Sequence, residues 1–311
     1  MAAVRGGERR LTEGLARYFD GDPAKVLVPI GDDGAVIRPG GRSLVVACDP
    51  VVEGRHFAPG TPLRLVGRKV VNRNLSDLAA MGATADYLLA SVLVPDGASA
   101  ADRRALFAGL RAAARAAGCL VVGGDLGGTP GPWTVTVTAI GHLEGRALTR
   151  AGLRVGDTLH VTGPLGGSLE SGRHLRFVPR LAEGRWLASC RGLHAATDIS
   201  DGLLLDLWTM LRASGQRGAE LDAAAIPLAR GARLAACRSG RTALEHALGD
   251  GEDHELLFGV AGGTALPAGG PLARCARRPI GVVTAQRGLW LRAVDGSRTR
   301  VEPAGYEHEF R

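Results

Sequence analysis

Two apolar runs in this chain, SLVVACDP (43–50) and CLVVGGD (119–125), read as buried strands that each end in an aspartate. Two more strands are expected at TVTVTAIG (134–141), which alternates in the β manner, and at DTLHVTG (157–163). Between and after them lie three helical stretches. LVGRKVVNRNLSDLAAMG (65–82) comes first, then SAADRRALFAGLRAAARAAG (99–118) with Gly118 as C-cap, then DGLLLDLWTMLRASG (201–215), also closed by a glycine. This alternation predicts an α/β or α+β fold. With 311 residues, 45% of them hydrophobic, two domains can each bury a core. ALTRAGLRVGD (147–157) reads as the boundary, giving domains of 1–146 and 147–311.

The carboxylates carry the functional signal. Asp32 and Asp33 lie in IGDDGAV, Asp49 in the first strand, Asp77 in NLSDLAAMGA and Asp125 after VVGG. Asp198 and Asp201 follow in ATDISDGLL, and Glu252 and Asp253 in DGEDHELLF. Most are flanked by glycine or apolar residues rather than by basic partners. Each motif alone has a plain reading: GDDG is a turn sequence, and Ser76–Asp77 or Asp198/Ser200/Asp201 could cap helices. Together they point to one cleft, where the expected counter-ion of converging carboxylates is a hard divalent cation, Mg²⁺.

Several chemistries are excluded. There is no G-x-x-x-x-G-K-[ST], and neither lysine, Lys25 or Lys69, lies in a glycine-rich loop, so this is no P-loop enzyme. Kinase H-R-D and D-F-G motifs, a G-x-S-x-G elbow and H-E-x-x-H are absent too. The net charge of +7 comes almost wholly from dispersed arginines, without a helix-turn-helix, zinc-finger or RNP pattern. A general positive field suits small anionic substrates better than nucleic acid. Five scattered cysteines (Cys48, Cys119, Cys190, Cys237, Cys275) form no C-x-x-C pair and read as buried free thiols. With no apolar run of membrane-spanning length and no export segment apparent, a cytoplasmic protein is expected. Phosphoryl transfer without a P-loop lysine needs several Mg²⁺ ions, an arginine and backbone N–H groups, and this chain supplies the protein's share.

In these motifs the chain resembles the bacterial thiamine-monophosphate kinases, a family of the aminoimidazole-ribonucleotide-synthetase-like superfamily. The matching stretches are IGDDGAV (30–36), DPVVEGRHF (49–57), NLSDLAAMGA (74–83), GGD (123–125) and GRALTRAGLRVGDTLHVTGPLG (145–166). TDISDGLLLDL (197–207), GEDHELLF (251–258) and GYEHEF (305–310) complete them, in the family's order. The resemblance implies a two-domain α/β fold whose N-terminal strands pair in a homodimer. ATP and several Mg²⁺ ions would occupy a cleft between the domains, and the ATP γ-phosphoryl group would pass to thiamine monophosphate. By the family pattern Asp33, Asp49, Asp77, Asp125 and Asp198 look like Mg²⁺ ligands, with Asp201 holding a further ion. Gly124, Asp125, Arg150 and Ser200 look like nucleotide contacts, and His56, Glu252 and Tyr306 like contacts to the thiamine end. The acceptor is a phosphate monoester with a second pKa of about 6, already a strong nucleophile at neutral pH. No catalytic Ser, Cys, Lys or general base is therefore expected.

The chain departs from that pattern in four places. Ala47–Cys48 replace a Ser-Thr pair, and Leu126–Gly127 replace Thr-Thr after GGD. Asp250 replaces the first glycine of GGED, with His254 in place of the aromatic that follows. The segment after Gly167 is short. Two further readings are another ATP-using enzyme of the superfamily with a different acceptor, and a non-catalytic nucleotide or thiamine-phosphate binder. A reactive N-terminal Cys or a C-terminal Cys would favour the former; residues 1–30 contain none, and the chain ends Glu309–Phe310–Arg311. Six aspartates at such sites weigh against a mere binder, because like charges in one cleft are costly.

Overall fold

The structure is a computed structural model that describes residues 26–28, 32–41, 43–267 and 269–307, the side chains of 274 and 275 excepted. The reading of the N-terminus, Ile30 and Gly31 of the first motif, residues 308–310 of the last, and the Cys275 thiol fall outside this set.

Six strands form the first sheet: β1 (Val26–Val28), β2 (Ala35–Ile37), β3 (Leu44–Val52), β4 (Thr84–Pro95), β5 (Leu120–Thr129) and β6 (Thr134–His142). Their spatial order is β1-β2-β3-β6-β4-β5. All neighbours are antiparallel except β4 and β5, which run parallel across the intervening helix. That helix is α2 (Ala100–Ala117), which follows α1 (Leu63–Ala80). Ser99 and Asp102 cap α2 reciprocally, and Gly118 closes it with φ 74°, as expected. The two helices cross at glycines: a Cβ on Gly67 would lie 2.2 Å from Leu106 O, and one on Gly109 would lie 2.1 Å from Arg64 O. Only glycine permits so close an approach.

Seven strands form the second sheet, in the order β13-β12-β9-β11-β7-β10-β8. They are β7 (Thr158–Val161), β8 (Leu193–Asp198), β9 (Gly218–Asp222), β10 (Leu256–Val260), β11 (Gly281–Thr284), β12 (Gly288–Arg292) and β13 (Arg298–Val301). The accompanying helices are α3 (Leu181–Ser189), α4 (Leu203–Ala213), α5 (Arg230–Ser239) and α6 (Ala243–Gly249). Helix α1 packs on β3 and β6 of the first sheet and on β8 of the second. One core therefore runs from Val45 and Val137 through Val70 and Leu78 to Phe258 and Val260. Strand β10 alternates, so Leu257 faces a second core with Leu159, Leu207 and Met210. Among the described residues no helix is long and apolar enough to cross a membrane.

The architecture is mixed α and β, as the sequence predicts, but two strand readings need correction. β3 runs on through Asp49 to Val52, paired with β6 throughout, so Asp49 is internal. It shares the α1-facing side with Val45, Ala47 and Val51. β5 also continues past Asp125 to Thr129 and is largely exposed at the edge of the sheet, where it is the outermost strand. Of the four described cysteines only Cys119 is buried, while Cys48 and Cys237 are exposed.

Candidate active site

Ser76 and Asp77 do not cap a helix; they lie well inside α1, which carries Asp77 to the junction of the two sheets. Asp33 comes from the turn before β2 and Asp198 from the end of β8. One carboxylate oxygen from each of Asp33, Asp77 and Asp198 lies within 4.8 Å of the others. Burial, reinforced by the Asp198 and Asp32 charges, pushes the Asp33 carboxyl up to about 7 against the pull of Arg150. Burial also raises Asp77 well above the ordinary carboxylate range, with Asp49, Asp198 and Asp33 adding repulsion. Asp198 goes the other way: burial opposes ionisation, but hydrogen bonds from His254 and Ser76 and the Arg150 charge outweigh it. Among the described residues Asp33 Oδ2 is buried with no hydrogen-bond partner. An oxygen-only trio with an orphaned buried oxygen fits a hard divalent cation such as Mg²⁺.

Arg150 closes one side of the trio. Its Nη2 donates to Asp33 Oδ1 at 2.7 Å and its backbone N–H to the Asp32 carboxylate. Thr197 Oγ1 also donates to Asp33 Oδ1, at 3.0 Å. The guanidinium is thus held where a phosphate approaching the acids would meet it.

On the other side lies a charged centre around Glu252. Lys69, wholly buried, donates to His56 O at 2.6 Å and His174 Nδ1 at 2.8 Å, and pairs with Glu252 Oε2 at 2.9 Å. That uses all three ammonium donors. Burial, with the Lys69 charge beside it, lowers the His174 imidazole to about 4, so its Nδ1 accepts. His254 stands between the two centres, Nδ1 3.3 Å from Asp198 Oδ2 and Nε2 3.2 Å from Glu252 Oε2. Burial opposes its protonation, but these two carboxylates push its pKa up. Phe177 stacks on it at 4.2 Å. His174 and Phe177 belong to the short segment after Gly167, so the departures at 254 and after 167 touch each other. The loop carrying Glu252 is strained: Glu252 (φ 54°) and His254 (φ 51°) are left-handed, held by bonds to Ser200 O and Ile199 O.

The remaining expected residues fall at different places. Asp49 lies near Asp77 but outside the trio, its Oδ2 accepting from Arg73 Nε at 2.7 Å. His56 Nδ1 accepts from Val52 N at 3.0 Å, while its carbonyl meets Lys69. Ser200 supplies a carbonyl to Glu252 N at 2.6 Å, and the Asp201 carbonyl accepts from Tyr306 N at 2.9 Å. Asp201 adds no ligand atom to the trio, and Tyr306 is half exposed. Gly124 and Asp125 line a separate cavity of about 740 Å³ between α2 and β5, with Phe107, Leu110, Arg111 and Arg115. Gly124 is obligatory there: with φ 147°, a Cβ would lie 1.8 Å from Ala90 O.

Sequence reasoning missed Lys69, Arg73 and His174. A usable signal existed: Lys69, Arg73 and Asp77 recur every four residues on one face of a helix that is otherwise mostly apolar or buried.

Residues 31–143 match the family described as AIR synthase related protein, N-terminal domain. The thiamine-monophosphate kinase of Rhodopirellula baltica is 39% identical over 99% of this chain and 96% of its own. The chain belongs to the thiamine-monophosphate kinase family. The family's member in Mycobacterium tuberculosis is 38% identical over 79% of this chain and 78% of its own. Among solved structures, AaThiL complexed with AMPPCP and TMP superposes with a TM-score of 0.84, at 27% identity and 97% coverage of both chains.

Proposed function

We propose that this chain transfers the γ-phosphoryl group of ATP to thiamine monophosphate, giving thiamine diphosphate and ADP. The observation that carries the reading is the part-buried trio of Asp33, Asp77 and Asp198, with its orphaned oxygen, between Arg150 and the Glu252 centre. The names of the full-length relatives support it, as does the related AaThiL structure, a complex with AMPPCP and TMP.

Asp33, Asp77 and Asp198 would hold Mg²⁺, with Asp49, Asp125 and Asp201 available to further ions. When bound, Mg²⁺ neutralises phosphate charge and aligns the oxygens of donor and acceptor. The chain's own residues do the rest. ATP would occupy the cleft between the domains, with Gly124, Asp125, Arg150 and Ser200 as its contacts. His56, Glu252 and Tyr306 face the thiamine end. The acceptor phosphate needs no general base, and Glu252, crowded by Lys69, Arg73 and His254 and held well below the usual carboxylate range, would make a poor one.

Domains of 1–146 and 147–311 enclose this cleft. Two copies pair through exposed β5, whose Leu120, Val121, Val122 and Leu126 lie open at the sheet edge. As an ATP-dependent enzyme the protein belongs in the cytoplasm.

The test is a Mg²⁺-dependent reaction with ATP and, in parallel, thiamine monophosphate or free thiamine, products separated by chromatography. Stoichiometric thiamine diphosphate and ADP from the monophosphate alone are expected. ATP binding without thiamine diphosphate would sink the reading and turn attention to another acceptor.

A further inference from the structure

Arg73 lies between the two halves of the site with its guanidinium fork unspent. It projects from α1 one turn after Lys69 and one turn before Asp77, on the same face. Nε donates to Asp49 Oδ2 at 2.7 Å. Nη1 is 3.6 Å from Glu252 Oε1, beyond hydrogen-bond distance. Among the described residues the two terminal nitrogens therefore make no hydrogen bond, although the side chain is only 18% exposed. A guanidinium held by Nε alone presents a rigid, planar fork whose geometry matches two oxygens of a phosphate. Of the other cations here, Lys69 already has three acceptors, and Arg150, tied to Asp33, is assigned to the nucleotide's phosphates.

We propose that the Arg73 fork binds the phosphate monoester of the acceptor, between Glu252 at the acceptor's organic end and Asp77 of the trio. The inference rests on the proposed function for the nature of the acceptor. It adds the group that recognises the acceptor's anionic end and sets a preference for the phosphate ester over the free alcohol. A dianion entering a cleft with Asp33, Asp49, Asp77 and Asp198 needs a fixed positive charge from the protein at its own end, and Arg73 is placed to supply it.

The test is calorimetric binding of thiamine monophosphate and of free thiamine, each with Mg²⁺ and AMPPCP, to the wild type, Arg73→Met and Arg73→Lys. Arg73→Met should weaken the monophosphate about 10- to 100-fold, the range for a lost charged hydrogen bond, and leave free thiamine within about twofold. Arg73→Lys, keeping the charge without the fork, should fall between, and it answers the question should the Met variant fail to fold. In turnover, added guanidinium should partly restore Arg73→Met. Equal weakening of both ligands would make Arg73 a scaffold residue and overturn the inference, as would no weakening of either. A wild type that binds the monophosphate no better than thiamine would instead overturn the acceptor reading, and this inference with it.

Discussion

The Ser76 hydroxyl donates to Asp198 Oδ2 at 2.6 Å, joining residues 122 positions apart. This bond ties the C-terminal part of α1 to the last residue of β8, and so fixes the distance between Asp77 and Asp198. With the bond in place, one Asp198 oxygen is oriented by Ser76 and His254. The mutual repulsion of the trio is then a property of the fold rather than of a flexible surface. That stored repulsion is what a divalent cation relieves, and it makes the site testable without knowing any substrate.

Asp77→Asn should abolish turnover and also raise the melting temperature measured without Mg²⁺, because it removes one of three mutually repelling buried groups. The stabilisation that Mg²⁺ gives the wild type should disappear in the variant. Thermal melts with and without the ion, alongside steady-state rates, check both parts. Unchanged turnover would sink the metal-site assignment.

Asp33 makes a signed prediction about pH. Its folded carboxyl keeps its proton to about 7, against 3.8 for the ordinary group. In that interval the folded state binds more protons than the unfolded one. The contribution of Asp33 to stability is therefore complete below pH 3.8 and is lost as pH rises toward 7. Mg²⁺ requires the ionised form, so stabilisation by Mg²⁺ should grow over the same interval. Melting curves from about pH 5 to about 7.5, compared with Asp33→Asn, read both slopes. A wild type and variant with identical slopes would contradict the account.

Removing the buried cation beside Glu252 should be costly. Lys69→Met leaves that carboxylate without its nearest partner and takes the donor from His174 Nδ1. The expected loss is about 3–5 kcal/mol in denaturant unfolding, the range for breaking one partner of a buried ion pair. A loss under about 1 kcal/mol would place Lys69 among weakly coupled surface charges instead.

The open edge of the first sheet predicts an oligomer. Val122, 57% exposed on β5, lies outside the cavity lining. Val122→Lys should shift a sedimenting dimer toward monomer, since a charged edge strand resists pairing. A wild type that sediments as a monomer would refute the pairing outright.

How much of this was legible in the sequence depends on range. The helices were readable because Gly118 and the amphipathic spacing are local signals, and Asp33, Asp77 and Asp198 stood out by their glycine or apolar flanks. The ends of β3 and β5 were not: a ladder stops where its partner stops, and β6 pairs with β3 through Val52. Nor could flanks reveal that β5 is the outermost strand, since its VVGGD run looks buried. Lys69 hid because a lone lysine in a helix usually reaches solvent. Its partners Glu252 and His174 lie more than 100 residues away, and only the packing of α1 between the two sheets brings them together.

The most direct test of the account concerns what the acids do during transfer. If Asp33, Asp77 and Asp198 hold metal and none of them attacks phosphorus, the phosphoryl group moves once, in line, from ATP to the acceptor. An ATP made chiral at the γ-phosphorus with oxygen isotopes and sulfur should then give thiamine diphosphate of inverted configuration. Retention would mean two displacements through an enzyme-bound phosphoryl group, and would contradict the account.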